Sequence, residues 1–147
     1  MRIEPYSERY IDDVVSLIKN FHAESVGEYD DLFDPDVVIQ TIKQNEATSS
    51  NAFLLVINDK CEGILFGVRF QSLLNKRQIF QEVIWYVNKS FRNFGVALLK
   101  EAENLLKSEG VNIMIMAVLE NSKTAKLKKF YEHMGYKLME SHFVISL

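Results

Sequence analysis

Residues 79–110, IFQEVIWYVNKSFRNFGVALLKEAENLLKSEG, decide how this chain folds. The first nine are rich in β-branched and aromatic side chains, the composition of a strand. Further on the pattern changes. Leu98, Leu99, Ala102, Leu105 and Leu106 recur at helical spacing, and Gly110 is a ready stop, which predicts a helix over about 93–109. That helix opens on Gly95, a poor helix former, with small Ala97 two residues on and Arg92 three residues before. The first turn of a helix leaves backbone N–H groups unpaired, and with the helix dipole they form a site for an anion. A phosphate reaches them where no side chain intervenes, and an arginine can pair with its oxygens. RNFGVA, residues 92–97, therefore reads as a pyrophosphate cradle. The alternative is that Gly95 lets the helix pack closely on a sheet. Neither a Gly-x-Gly-x-x-Gly fingerprint nor a P-loop is present.

The reading extends outward from there. VNIMIMAVL, residues 111–119, is continuously apolar, which predicts a strand buried on both faces. Upstream, AFLLVI (52–57) and CEGILFGVRFQSL (61–73) flank the turn NDK and predict a hairpin. MRIEPY is an opening strand, and Ser7 stands as a cap before a helix over 10–26 that Gly27 ends. Asp34-Pro35 starts a short second helix, followed by the polar loop NEATSSN. Downstream, ENSKTAKLKKFYEHM predicts an amphipathic helix with Ala125, Leu127, Phe130, Tyr131 and Met134 facing inward and Gly135 as its stop. YKLMESHFVISL closes the chain as strand. The order β-α-α-β-β-β-α-β-α-β predicts an α/β protein, a mixed sheet with helices on its faces, in a single domain over 1–147.

Composition narrows the partners. The 147 residues suffice for one core, and 48% hydrophobic with 25% charged residues is ordinary for a soluble globular protein. A net charge of -3 argues against nucleic acid or an anionic membrane as the main partner. Cys61 is the single cysteine, so no internal disulfide forms, which fits a reducing compartment. The charged start MRIEPYSERY lacks a signal-peptide core, and no apolar run reaches membrane-spanning length. A cytoplasmic protein is expected. His133 and His142 share no ligand spacing with other groups, so no metal is expected.

VIWYVNKSFRNFGVALLKEAENLL, residues 83–106, resembles the central motif of the GNAT superfamily, the acetyl-CoA-dependent N-acyltransferases. In that motif a strand ends in an aromatic-Val pair, then a loop leads to Arg/Gln-x-x-Gly-x-Gly/Ala and a Leu-Leu helix. KKFYEHMGYK, residues 128–137, is similar to the family's second motif, a helix ending in Tyr-x-x-x-Gly-Tyr/Phe. FHAESVG and GYKLMESHFV resemble phage and bacterial members, and the segment order is the family's over nearly the whole chain.

The resemblance implies a single-domain GNAT fold and a division of labour. Arg92 and Asn93 lead into the cradle, where the backbone amides of Phe94, Gly95, Val96 and Ala97 would hold the pyrophosphate of acetyl-CoA. The backbone of Trp85, Tyr86 and Val87 would pair with the pantetheine arm, in a gap where the strands at 79–87 and 111–119 splay apart. Tyr131 would be the general acid at the sulfur, although an aromatic at a core-facing helical position is also ordinary core. Glu82 is the candidate base. Counted back from Arg92, however, the family's commonest glutamate position falls on Gln81, and one residue turns a strand side chain to the other face. A bulge would restore Glu82 to the cleft; otherwise it faces solvent. Asn121 is the candidate for the family's asparagine that touches pantetheine, although a gapless count from Tyr131 lands on Thr124; otherwise Asn121 caps the last helix. His22 and Glu24 border the acceptor region in the family, and a solvated helix end is the preferred reading of both. The acidic residues Glu28, Asp30 and Asp31 could attract a cationic acceptor, though an ordinary solvated loop is the preferred reading. Cys61 lies on the hairpin, away from the cleft, so direct attack is expected rather than a cysteine acyl-enzyme.

The chemistry is consistent with these roles. An amine with a pKa of about 10.4 is only about 0.04% neutral at pH 7. It must lose a proton to attack a thioester, and the leaving thiolate gains from a proton donor. The expected activity is acetyl transfer to the amine of a small molecule or protein. The rival is a GNAT-fold module that binds CoA, or nothing, without turnover. Many members dimerise, which makes the closing strand the candidate homodimer contact.

Overall fold

A computed structural model describes residues 1–27, 29, 30, 32–44, 51–121 and 123–147; Glu28, Asp31 and most of the NEATSSN loop lie outside them. Strands β1 (Arg2–Pro5), β2 (Ala52–Ile57), β3 (Lys60–Gln71), β4 (Gln78–Val87) and β5 (Ile113–Ile115) lie side by side in chain order. The first four are antiparallel in succession, and β5 joins β4 in parallel. Asn58 and Asp59 both have positive φ, 50° and 60°. That two-residue turn matches the twist of the strands it joins, and it makes the expected hairpin.

The helices are α1 (Ile11–Phe21), α2 (Pro35–Gln44), α3 (Gly95–Ser108) and α4 (Thr124–His133). The helix predicted over 10–26 is a composite: a 3₁₀ turn at Glu8–Tyr10, then α1, then a π-helical turn at His22–Val26. Ser7 makes no side-chain cap bond to it. Asp34 does cap α2: its Oδ1 accepts from Asp36 N at 2.9 Å, with Pro35 in the first helical position. Gly110 and Gly135, at φ +86° and +91°, end the turns after α3 and α4.

Alternation along the strands divides the core in two. Leu54, Ile64, Phe66 and Tyr86 face Val14, Leu17 and Ile18 of α1 and Ile42 of α2. Phe53, Leu55, Leu65, Phe80 and Val87 face Leu98, Leu99, Ala102 and Leu106 of α3, with Tyr131 of α4. Each fully buried leucine contributes about 1.5–3 kcal/mol, so α3 is firmly seated.

Two expectations fail at the C-terminal side of the sheet. The apolar run 111–119 yields three strand residues, all half-buried, rather than a long strand buried on both faces. Only Ile79, Phe80 and Gln81 of β4 give it ladder partners, and among the described residues nothing pairs with its outer edge. The closing strand is likewise absent: residues 137–147 carry no strand and are exposed throughout. A three-residue edge offers them too few backbone partners. Ala125 of α4 is also exposed rather than inward.

Candidate active site

β4 and β5 pair through Ile79↔Ile113, Phe80↔Met114 and Gln81↔Ile115. Beyond Gln81, β4 remains paired to β3, but among the described residues its edge toward β5 carries no ladder. The register of β3 and β4 slips at the same place: Phe66 pairs with Ile84 and Gly67 with Glu82, so Val83 is an extra, bulged residue. Gly67 permits this close approach. A Cβ there would stand 2.4 Å from the Gln81 carbonyl oxygen and from Phe80 Cζ.

The bulge settles which way Glu82 faces. Phe80 packs in the α3 core, and alternation puts Glu82 on the same side. The extra residue then brings Trp85 and Val87 to that side, and Ile84 and Tyr86 to the α1 side. Glu82 thus takes the facing that a bulge-free count gives Gln81. Its side chain is buried, and Oε2 accepts a hydrogen bond from Ala117 N at 2.8 Å. The carboxylate replaces the ladder bond that Ala117 loses where the strands part. Burial pushes the Glu82 carboxyl up to about 7, against the opposing pull of that hydrogen bond.

Tyr131 is buried on α4 with its ring centroid 6.0 Å from that of Trp85 and 5.4 Å from that of Tyr136. Burial first, then the nearby Glu82 carboxylate and Tyr136, push its phenol far above the ordinary tyrosine range, so it keeps its proton at neutral pH. Base candidate, acid candidate and the free edge of β4 therefore converge on one gap.

The mouth of α3 departs from expectation. A 3₁₀ helix, Lys89–Phe94, runs straight into it, and the Gly95 amide donates to the Arg92 carbonyl, so one expected free donor is engaged. No side chain caps α3 among the described residues. Gly95 has ordinary helical angles, φ -58° and ψ -38°. A Cβ there would lie 3.6 Å from Trp85 Cζ2 and 3.8 Å from Val87 Cγ2, which is ordinary contact. Neither conformation nor helix packing calls for glycine. The strip between the helix mouth and the end of β4, where Trp85 and Val87 stand nearest, is thus a corridor in which no side chain of Gly95 intervenes.

Arg92 does not point its charge at that corridor. Its guanidinium lies 2.7 Å from Glu24 Oε2 and over the Tyr86 ring, and its Nε donates to the Val87 carbonyl at 3.3 Å. Glu24, which the sequence presents as a solvated helix end, is a hub: it accepts from the Tyr86 hydroxyl at 2.8 Å and has Lys89 at 3.6 Å. Burial opposes its ionisation, but the bonds from Tyr86 and Arg92 prevail and hold its carboxyl below the usual range. The π-helical turn aims it there, a local feature common near functional sites. Asn93 and Val96 are exposed on the outside of this turn, Ala97 and Phe94 half-buried.

His22 Nε2 meets the Asp30 carbonyl at 2.7 Å, and Tyr29 donates to the Glu120 carbonyl at 2.6 Å. The segment after α1 is thus fastened to the far side of the gap. Asn121 Oδ1 accepts from Lys123 N at 2.8 Å, the turn-capping alternative for that residue. Cys61 is buried on the hairpin, its thiol pushed up to about 12 by burial. Among the described residues no cluster of three or more His, Cys, Asp or Glu is placed to hold a metal ion, and no helix is long and apolar enough to cross a membrane.

No protein-family model matches the sequence, and no curated protein matches it. Solved structures do match the fold. An aminoglycoside acetyltransferase from an uncultured soil metagenomic sample, in complex with sisomicin, is 16% identical, with a TM-score of 0.74 over 99% of this chain and 95% of its own. A ribosomal-protein-alanine N-acetyltransferase from Brucella melitensis biovar Abortus 2308 is 13% identical, with a TM-score of 0.76 over 100% of both chains. A transcriptional regulator from Bacillus halodurans C-125 is 13% identical, with a TM-score of 0.77 over 99% of both. The architecture of this chain, a mixed five-stranded sheet that parts between β4 and β5, is the fold of the GNAT acetyltransferases.

Proposed function

We propose that the protein transfers the acetyl group of acetyl-CoA to a primary amine by direct attack within a ternary complex. The observation that carries this reading is the parting of β4 and β5 at a bulge that draws Glu82 into the gap beside Tyr131. The unladdered edge of β4 at Trp85, Tyr86 and Val87 suits an extended pantetheine arm, which needs backbone partners. The corridor beside Gly95 suits the pyrophosphate, with the amides of Phe94, Gly95, Val96 and Ala97 around it. There the Gly95 amide would exchange the Arg92 carbonyl for a phosphate oxygen.

In this reading Glu82 takes a proton from the acceptor ammonium, and the freed amine attacks the thioester carbon. The C–N bond forms, the C–S bond breaks, Tyr131 gives its proton to the leaving sulfur, and the acylated nitrogen gives its second proton to the Tyr131 phenolate, which restores the phenol. Burial makes the Tyr131 phenol a weaker acid, but the same apolar gap raises the basicity of a thiolate held there. Arg92 acts on Glu24 rather than on phosphate, and Asn121 shapes the start of α4. The acceptor is an amine of a small molecule or a protein, the setting is cytoplasmic, and no metal takes part.

Release of free thiol from acetyl-CoA, followed over a panel of amines, tests the proposal. Glu82→Gln and Tyr131→Phe should each lower kcat by about 10²–10⁴ while acetyl-CoA still binds. The same fold in a protein named a transcriptional regulator makes turnover the deciding readout. A chain that binds acetyl-CoA but acetylates nothing is a binding module.

A further inference from the structure

A cavity of about 170 Å³ lies on the opposite face of the sheet from α3. Its wall includes Val14 and Ile18 of α1, Val38 and Ile42 of α2, Phe66 of β3 and Ile84 of β4. Among the described residues no charged side chain lines it; its polar side chains are Tyr6, Thr41 and Asn51, and the Thr41 hydroxyl donates to the Val37 carbonyl at 2.8 Å. An apolar cavity of about 150 Å³ stays dry and admits benzene, so this one is of a size for a single ring or a short branched chain. Among the described residues the wall offers no carboxylate to compensate an ammonium, and burying one there unpaired is prohibitive.

Its position relates it to the proposed chemistry. Val83 and Ile84 both line it, and they directly follow Glu82 at the bulge of β4. The residue that draws the carboxylate into the β4–β5 gap therefore also forms part of the wall of an uncharged hole across the strand. We infer that this cavity receives a small apolar arm of the amine acceptor, a monocyclic aromatic or branched aliphatic group, with the amine left at the strand edge near Glu82. This rests on the acetyl-transfer reading for the amine, while the binding of an apolar group stands on the cavity alone. It separates this chain from the aminoglycoside acetyltransferase of like fold that is in complex with sisomicin.

The experiment has two arms. In the first, the protein without acetyl-CoA is melted with and without toluene. At about ten times Kd a neutral probe filling the cavity raises Tm by about 3–6 °C. Val38→Phe, which fills the hole, should abolish that shift. Val38→Ala, which enlarges it, should keep the shift and extend it to a bulkier probe such as isobutylbenzene. Circular dichroism establishes that each variant is folded. In the second arm, 2-phenylethylamine and kanamycin compete as acceptors, and 2-phenylethylamine should have the higher kcat/KM by at least about tenfold. No shift with toluene, or equal shifts in wild type and Val38→Phe, overturns the cavity assignment even if amines are acetylated. A toluene shift with transfer to kanamycin preferred overturns the specificity. A toluene shift without transfer to any amine overturns the enzymatic reading and upholds the apolar site.

Discussion

Replacing Glu82 by glutamine should flatten the pH dependence of stability above pH 5. Burial raises the carboxyl from an ordinary 4.5 to about 7, so the native state favours the protonated form. The native chain therefore binds more protons than the unfolded one between these values, and stability falls as pH rises through the window. The contribution is fully present below about pH 4.5 and gone above about 7. Its size is about 3 kcal/mol, taking about 1.36 kcal/mol for each unit of pKa. Glutamine keeps a carbonyl oxygen for Ala117 N but has no proton to lose, so this decline disappears in Glu82→Gln. About 2.5 kcal/mol of this is lost between pH 5 and pH 8, so at about 2–4 °C for each kcal/mol Tm of the wild type should fall about 5–10 °C further than that of the variant. Other titrating groups are common to both proteins and cancel in the comparison. Thermal melts followed by circular dichroism at half-unit pH steps provide the data. Parallel profiles would refute the buried, uncompensated carboxylate, and with it the basis for treating Glu82 as a base poised near neutrality.

Three further outcomes are expected. Gly95→Ala should leave Tm unchanged or raised by up to about 2 °C, because a Cβ there meets only ordinary contacts and alanine favours helix; acetyl-CoA affinity, measured by calorimetry, should fall at least tenfold, about 1.4 kcal/mol, if the corridor is the cofactor's path. Arg92→Ala should cost under about 1 kcal/mol in urea denaturation, since its pair with Glu24 is partly solvated, and should change acetyl-CoA affinity by less than about threefold; a larger drop would show the guanidinium reaching phosphate. The tail, with Leu138, Met139, Phe143, Val144, Ile145 and Leu147 exposed, is proposed to pair with the same segment of a second copy. Light scattering should find a dimer, and a chain ending at Lys137 should be monomeric; a monomeric full chain would refute the contact.

The sequence reveals local patterns well and distant pairings poorly. The stripe of Leu98, Leu99, Ala102 and Leu106, the Asp34-Pro35 cap and the Asn58-Asp59 turn all act within a few residues, and each lies where its pattern predicts. The facing of Glu82 was different, because it depends on the bulge at Val83. The clearest mark of that bulge is Gly67, sixteen residues away along the chain and meaningful only once β3 and β4 are paired. The partnership of Arg92 with Glu24 joins residues 68 positions apart, and nothing near either residue announces it. The run 111–119 has strand composition, but a strand needs a ladder partner, and the parting of β4 from β5 removes it beyond Ile115.

The most direct test of the central claim is a thermal melt with acetyl-CoA, set beside adenosine diphosphate as a control. Acetyl-CoA at about 100 times its Kd adds about 2.7 kcal/mol of stability, a rise in Tm of roughly 5–10 °C for a domain of this size. That rise should exceed any produced by adenosine diphosphate, because the unladdered edge of β4 holds the pantetheine arm. No shift at millimolar acetyl-CoA would contradict it, and the gap between β4 and β5 would not be a cofactor site.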